Sequence, residues 1–97
     1  MILETAVLDI KEESIEELKG VLEDAKTVIS KSKGFVSIQF VQCIETPTKF
    51  IAFIQWETLE DHTIGFRESE LFVKWRAILS PYFNSAPFAD HYNYLPE

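Results

Sequence analysis

The chain has 97 residues and a net charge of −7, with 46% hydrophobic residues, three glycines and four prolines. That composition excludes a disordered tail and describes one compact domain over residues 1–97. With 16 acidic against nine basic residues and no basic stripe, neither a nucleic-acid nor an anionic-membrane partner is expected, because phosphate contacts need clustered Lys and Arg.

The lone cysteine, Cys43, has no internal disulfide partner and lies in an apolar stretch, where it reads as a small core residue in a reducing compartment. The opening "MILETAVLDIKEES" has no basic region leading into a long apolar one, and no window is long enough for a membrane span. A cytoplasmic protein is expected.

"LETAVLDI", Leu3 to Ile10, is rich in branched residues and stops at a run of charges, as a strand entering a helix does. From Ser14 onward, Ile15, Leu18, Leu22, Ala25 and Ile29 recur at helical steps, which predicts an amphipathic helix. Ser14 with Glu17 forms a capping-box pattern, and Gly34 is placed to close the far end in a left-handed conformation. "FVSIQFVQCI" (Phe35 to Ile44) and "KFIAFIQW" (Lys49 to Trp56) read as a hairpin around "ETPT". Thr58 and Asp61 signal a second helix, which Ile64-Gly65 and Ser69 break in two before Pro81 ends it. "PFADHYNYL", Pro87 to Leu95, supplies a final strand. Strand, helix, strand, strand, helix, strand is the order of a ferredoxin-like βαββαβ α+β domain with an antiparallel sheet.

Phe50, Ile51, Ala52, Phe53 and Ile54 do not alternate with polar residues, so both faces of their strand are apolar. A chain of this length has helices for only one face. The other is expected to meet the same face of a second copy in a homodimer.

The segment "QWETLEDHTIGFRESELFVKWR", Gln55 to Arg76, carries the chemistry. Leu59, His62 and Phe66 fall at helical spacing, which turns His62 inward, and Phe72, Trp75 and Leu79 repeat the pattern with Arg76 beside Trp75. Each aromatic taken alone reads as core. Together with a titratable ring and a guanidinium they have the composition of a pocket for a flat, electron-rich molecule, with Phe66, Phe72 and Trp75 as walls. His62 is suited to act as general base, with an ordinary pKa of about 6.5, and Arg76 to stabilise developing negative charge. His62 and His91, the only histidines, lie far apart in sequence without a cysteine or carboxylate to complete a ligand set, so neither a metal nor another cofactor is expected.

The element order, the hairpin ending in "QWET" and the segment "LEDHTIGFRESELFVKWR" resemble the antibiotic biosynthesis monooxygenase domain, a dimeric α+β barrel superfamily. The resemblance implies a cofactor-independent monooxygenase acting on a small phenolic or enolisable aromatic molecule, with Trp56 and Arg76 at the family's Trp and Arg positions. The family's Asn falls near Ala52 and its Tyr near His62, two departures from the pattern. A proton-transfer isomerase using the same base and anion clamp, and a non-catalytic small-molecule-binding dimer, are the alternatives, because one fold supports many functions.

Overall fold

The computed structural model describes residues 1–96. Four strands, β1 (Ile2–Asp9), β2 (Phe35–Gln42), β3 (Lys49–Trp56) and β4 (Phe88–Asn93), form one antiparallel sheet in the order β2-β3-β1-β4. Helices α1 (Ile15–Ile29) and α2 (Glu70–Leu79) connect them, with a π-helical segment, Asp61–Phe66, ahead of α2. This is the ferredoxin-like α+β arrangement anticipated from the order of elements.

Strand parity decides what faces the helices. Ala6 and Leu8 of β1 share a face with Phe50, Ala52, Ile54 and Trp56 of β3, and all six are buried. Leu18, Ala25 and Ile29 of α1 and Leu79 of α2 close over them, as amphipathic helices at this spacing should. The opposite parity gives the outer face. Val7, Ile51 and Phe53 lie there half-buried, with Val41, Phe88 and Tyr92 more exposed. The run at 50–54 is thus apolar on both faces because it serves two surfaces, and Ile54 belongs to the core while Phe53 belongs to the outer face.

Several local expectations are corrected. The Ser14 side chain makes no capping hydrogen bond: Glu12–Ser14 form a 3₁₀ turn that leads into α1. Helix α1 ends at Ile29 with a right-handed cap at Ser30, so Gly34 is not its cap. Gly34 instead turns the chain into β2 at φ 81°. Strand β2 stops at Gln42, leaving Ile44 exposed and Cys43 only half-buried at the hairpin mouth, where its Sγ accepts from the Thr46 N–H at 3.3 Å. The hairpin turn rather than the core claims it.

The helix at Thr58 starts as anticipated, with the Asp61 N–H donating to Thr58 Oγ1 at 3.2 Å. It then widens, and the Arg67 N–H donates to the carbonyl of His62 at 3.0 Å, five residues back. A turn closed this way holds more than four residues, so positions three apart no longer share a face. His62 and Phe66, four apart, remain buried, whereas Leu59 is 39% exposed, contrary to the inward orientation that α-helical spacing gave it. Ser69 ends the break and caps α2, its Oγ accepting from the Phe72 N–H at 3.3 Å.

Gly34 holds the entry to β2 against this widened helix, and a Cβ there would run into the Asp61 side chain. Gly34→Ala is expected to destabilise the fold by about 1–2 kcal/mol for the left-handed backbone, plus a steric share. Urea unfolding checks this: adding Asp61→Ala should recover only part of the steric share, since the Asp61 Cβ would itself lie 2.6 Å from the new Cβ, and an unchanged midpoint for Gly34→Ala would contradict it.

Candidate active site

Between the sheet and the π segment with α2 lies a cavity of about 460 Å³. Phe66, Phe72 and Trp75 are on its wall, and Phe66 meets both Phe72 and Trp75 edge-on at centroid distances of 5.5 and 6.0 Å. Trp75 also stacks on Phe40 of β2. Arg76 lines the cavity with its guanidinium carbon 5.9 Å from the Phe72 ring centre, and the segment Phe83–Pro87 completes the wall ahead of β4.

One end of the cavity is polar. Glu4 and His62 are both on its wall and are the only buried polar or charged residues among those described, at 4% and 3% exposure. Trp56 Nε1 donates to Glu4 Oε1 at 2.9 Å, and the fully buried indole stacks on the His62 ring at 5.4 Å. Trp56 is not itself on the cavity wall. It reaches the site through Glu4 and His62.

His62 is hydrogen-bonded at one nitrogen and stands near Glu4 with the other. Nδ1 shares a hydrogen bond of 2.7 Å with Nε2 of His91 on β4, and Nε2 faces Glu4 Oε1 at 3.5 Å. Both Glu4 contacts fall on Oε1, and no enclosed side-chain polar atom of the described residues lacks a partner, so Glu4 Oε2 and His62 Nε2, neither of them hydrogen-bonded, are the atoms left accessible on these two cavity residues.

Sequence separation hid this cluster. Strand β1 pairs with β4 so that Glu4 lies opposite His91, and the π segment lays His62 across both. The two histidines, too far apart along the chain to suggest a joint role, are in direct contact, and with Glu4 they offer three donor atoms within 4.8 Å of one another. Two imidazoles and a carboxylate suit zinc or ferrous iron by donor type. The positive charge of Arg67, felt at all three groups, opposes a dication there.

Burial sets the electrostatics. Desolvation, helped by the neighbouring His91 and by Arg67, lowers the His62 pKa from 6.5 to about 4, so at neutral pH the imidazole is uncharged and its contact with Glu4 is not an ion pair. His91 is lowered by the same burial and by Arg67, with Asp90 acting the other way. Desolvation raises Glu4, while the Trp56 hydrogen bond and Arg67 pull it down. A His62 held this low is a weaker proton acceptor than the free imidazole that the spacing of residues suggested.

Glu4, His91 and Arg67 were missed from the sequence. A signal existed for the first: Glu4 has the same strand parity as Ala6 and Leu8, so an inward carboxyl was implied once those were placed in the core. His91 shares parity with Ala89 in the same way, but a short edge strand with exposed Phe88 and Tyr92 gives no clear inward face.

The antibiotic biosynthesis monooxygenase family profile matches residues 1–78. The chain belongs to that family. A protein of Bacillus subtilis (strain 168), the uncharacterised YczJ, is 36% identical over 92 residues, covering 95% of this chain and 97% of its own. Among solved structures, a putative antibiotic biosynthesis monooxygenase from Bordetella bronchiseptica superposes with a TM-score of 0.93 at 22% identity, covering 97% of this chain and 96% of that one. SnoaB, a cofactor-independent oxygenase from Streptomyces nogalater whose structure is that of a mutant, superposes at 0.78 with 12% identity, covering 99% and 97%. At these identities the two structures establish a shared fold. No helix among the described residues is long and apolar enough to cross a membrane.

The depressed His62 predicts a pH dependence of stability. Below 6.5 the unfolded chain takes up a proton that the folded imidazole refuses until about 4, so stability falls as pH falls through this window, by on the order of 3 kcal/mol. Lowered His91 acts in the same direction. Glu4, raised in the folded state, acts the opposite way, since the folded protein holds its proton longer. Chemical denaturation from pH 7 to 4 should therefore show a shallower loss in His62→Asn and a steeper one in Glu4→Gln; parallel curves for all three proteins would contradict the assignment.

Proposed function

We propose that this protein is a monooxygenase that oxidises a small hydroxylated aromatic molecule with molecular oxygen, without metal, flavin or haem, as a homodimer. The observation that carries the reading is the Glu4–His62 pair at the polar end of a cavity walled by Phe66, Phe72 and Trp75. About 460 Å³ falls within the range of small-molecule sites, and the walls offer flat apolar surface to an aromatic ring. Family membership supports the reaction class, and the shared fold with a cofactor-independent oxygenase from Streptomyces nogalater supports the mode of oxygen use.

The chemistry follows from the substrate. Triplet oxygen reacts slowly with closed-shell molecules, but a phenolate can transfer one electron to it. The protein must accept the hydroxyl proton and hold the anion. Proton removal is assigned to the polar end formed by Glu4 and His62, and Arg76, with Arg67, stabilises the phenolate from the cavity wall. Trp56 positions the Glu4 carboxylate and the His62 ring. Superoxide and the aryloxyl radical combine at a ring carbon para to the oxygen, and loss of the ring proton with cleavage of the O–O bond yields a quinone and water. One phenol and one O₂ give one quinone and one H₂O.

The outer sheet face supports the homodimer. Val7, Ile51 and Phe53 form an apolar surface there with Val41, Phe88 and Tyr92, while Ser37, Gln55 and Tyr94 make a hydrogen-bonded chain, Ser37 Oγ to Gln55 Oε1 at 2.6 Å and Gln55 Nε2 to Tyr94 Oη at 2.7 Å. An apolar face this broad is stabilised by a second copy presenting the same face.

Two measurements test the reading. Light scattering at micromolar concentration should show a dimer, and Phe53→Lys should dissociate it, whereas a wild-type monomer would sink the dimer. Oxygen-electrode assays on hydroxylated naphthalenes and anthracenones should show O₂ uptake matched by quinone. His62→Ala should lower kcat about 100-fold or more, and Arg76→Lys should lower it too, because lysine loses the planar fork. Full activity in both variants would show the site to be misplaced, and turnover unaffected by argon would favour the isomerase alternative.

A further inference from the structure

We propose that Glu4 is the residue that takes the proton from the bound hydroxyl, with His62 and His91 as a neutral pair that positions its carboxyl. This rests on the reading of the cavity as a site for a hydroxylated aromatic molecule. The two candidate bases at the polar end are held differently. His62 is bonded through Nδ1 to His91 at 2.7 Å, its Nε2 is turned toward Glu4 Oε1 at 3.5 Å without a hydrogen bond, and Trp56 stacks against the ring. Glu4 is tied down on one oxygen only. Trp56 holds Oε1 at 2.9 Å, and Oε2 opens on the cavity. An anchored carboxylate with one oxygen presented to the cavity has the geometry a general base needs.

The surroundings agree. Burial raises the Glu4 pKa, bringing it closer to that of a phenol, whereas His62 is moved away from it. The titratable and charged groups facing Glu4 are His62 from the π segment, His91 from β4 and Arg67 just beyond the π segment; Trp56 from β3 adds its N–H. Arg67 acts against the rise that burial imposes on the carboxyl, and its charge balances the phenolate once the proton has moved.

Atoms and charge balance in this step. The ligand O–H bond breaks and a bond from hydrogen to Glu4 Oε2 forms, leaving phenolate in the cavity. When the later O–O cleavage releases hydroxide, Glu4 returns its proton to that oxygen. Water leaves and the carboxylate is restored.

The test uses the full chain labelled with ¹³C at glutamate carboxyls and ¹⁵N at histidine rings, with 4-nitrophenol as the probe. Glu4→Gln, which keeps an acceptor for Trp56, identifies the Glu4 signal. At a pH where the free probe is colourless, binding is expected to convert it to its yellow phenolate and to move the Glu4 signal to its protonated position, with the His62 ring signals staying neutral. In Glu4→Gln the probe should bind with affinity within about threefold and stay phenolic. On a turned-over substrate, kcat should fall about 100-fold with little change in KM, and Glu4→Asp should recover part of it. If the probe binds but the proton appears on His62, or Glu4→Gln still yields phenolate, Glu4 is not the base and the cavity reading survives. If the probe does not enter the cavity, that reading fails and this proposal falls with it.

Discussion

A carboxyl sits where the strand pattern calls for a hydrophobic side chain, and the hydrogen bond from Trp56 Nε1 to Glu4 Oε1 is what makes that possible. Burying an unpaired carboxylate would cost several kcal/mol. The indole N–H and the charge of Arg67 act against that cost, while His62 packs beside the carboxyl. Trp56 stands on the strand next to β1, His62 rides on the π segment, and Arg67 follows one residue after that segment. Removing the carboxyl would leave the indole N–H without its acceptor.

The widened helical segment belongs to the same constraint. A regular α-helix entering from Thr58 would present positions three and four apart, and Leu59 would join His62 inside. The π turn instead lets Leu59 swing out while His62 and Phe66 remain buried. Such segments are uncommon and concentrate at functional sites because they trade regular hydrogen bonding for side-chain placement. Here the placement brings an imidazole against two strands at once, with Nδ1 bonded to His91 on β4 and Nε2 3.5 Å from Glu4 on β1.

Polar and apolar surfaces are divided by the sheet. The inner face holds the core and, at one end, the cavity, while the outer face is apolar without a helix to cover it. A small domain buries a modest fraction of its surface. The outer face is therefore the natural place for further burial, and it lies across the sheet from the cavity, so association through it leaves the polar end intact.

Periodicity alone determined the element order, the ferredoxin-like fold, the two-sided character of residues 50–54 and the aromatic walls at Phe66, Phe72 and Trp75, since these depend on which residues repeat at 2 and at 3.6. It also turned His62 inward, and Trp56 and Arg76 stand out in the same stretch of sequence. Only the tertiary structure decided how these residues meet. Trp56 lies behind the site rather than on its wall, and Arg67 joins Arg76 on the cavity wall and supplies the charge felt at Glu4, His62 and His91. Glu4, His62 and His91 come together from positions 4, 62 and 91 because antiparallel pairing lays β4 beside β1. Strand register and a local change in helical pitch are set by long-range packing, which the spacing of residues along one segment does not encode. The same burial that assembles the site also reorders its acid–base chemistry, lowering the imidazole and raising the carboxyl, because a pKa depends on the solvent a group has lost.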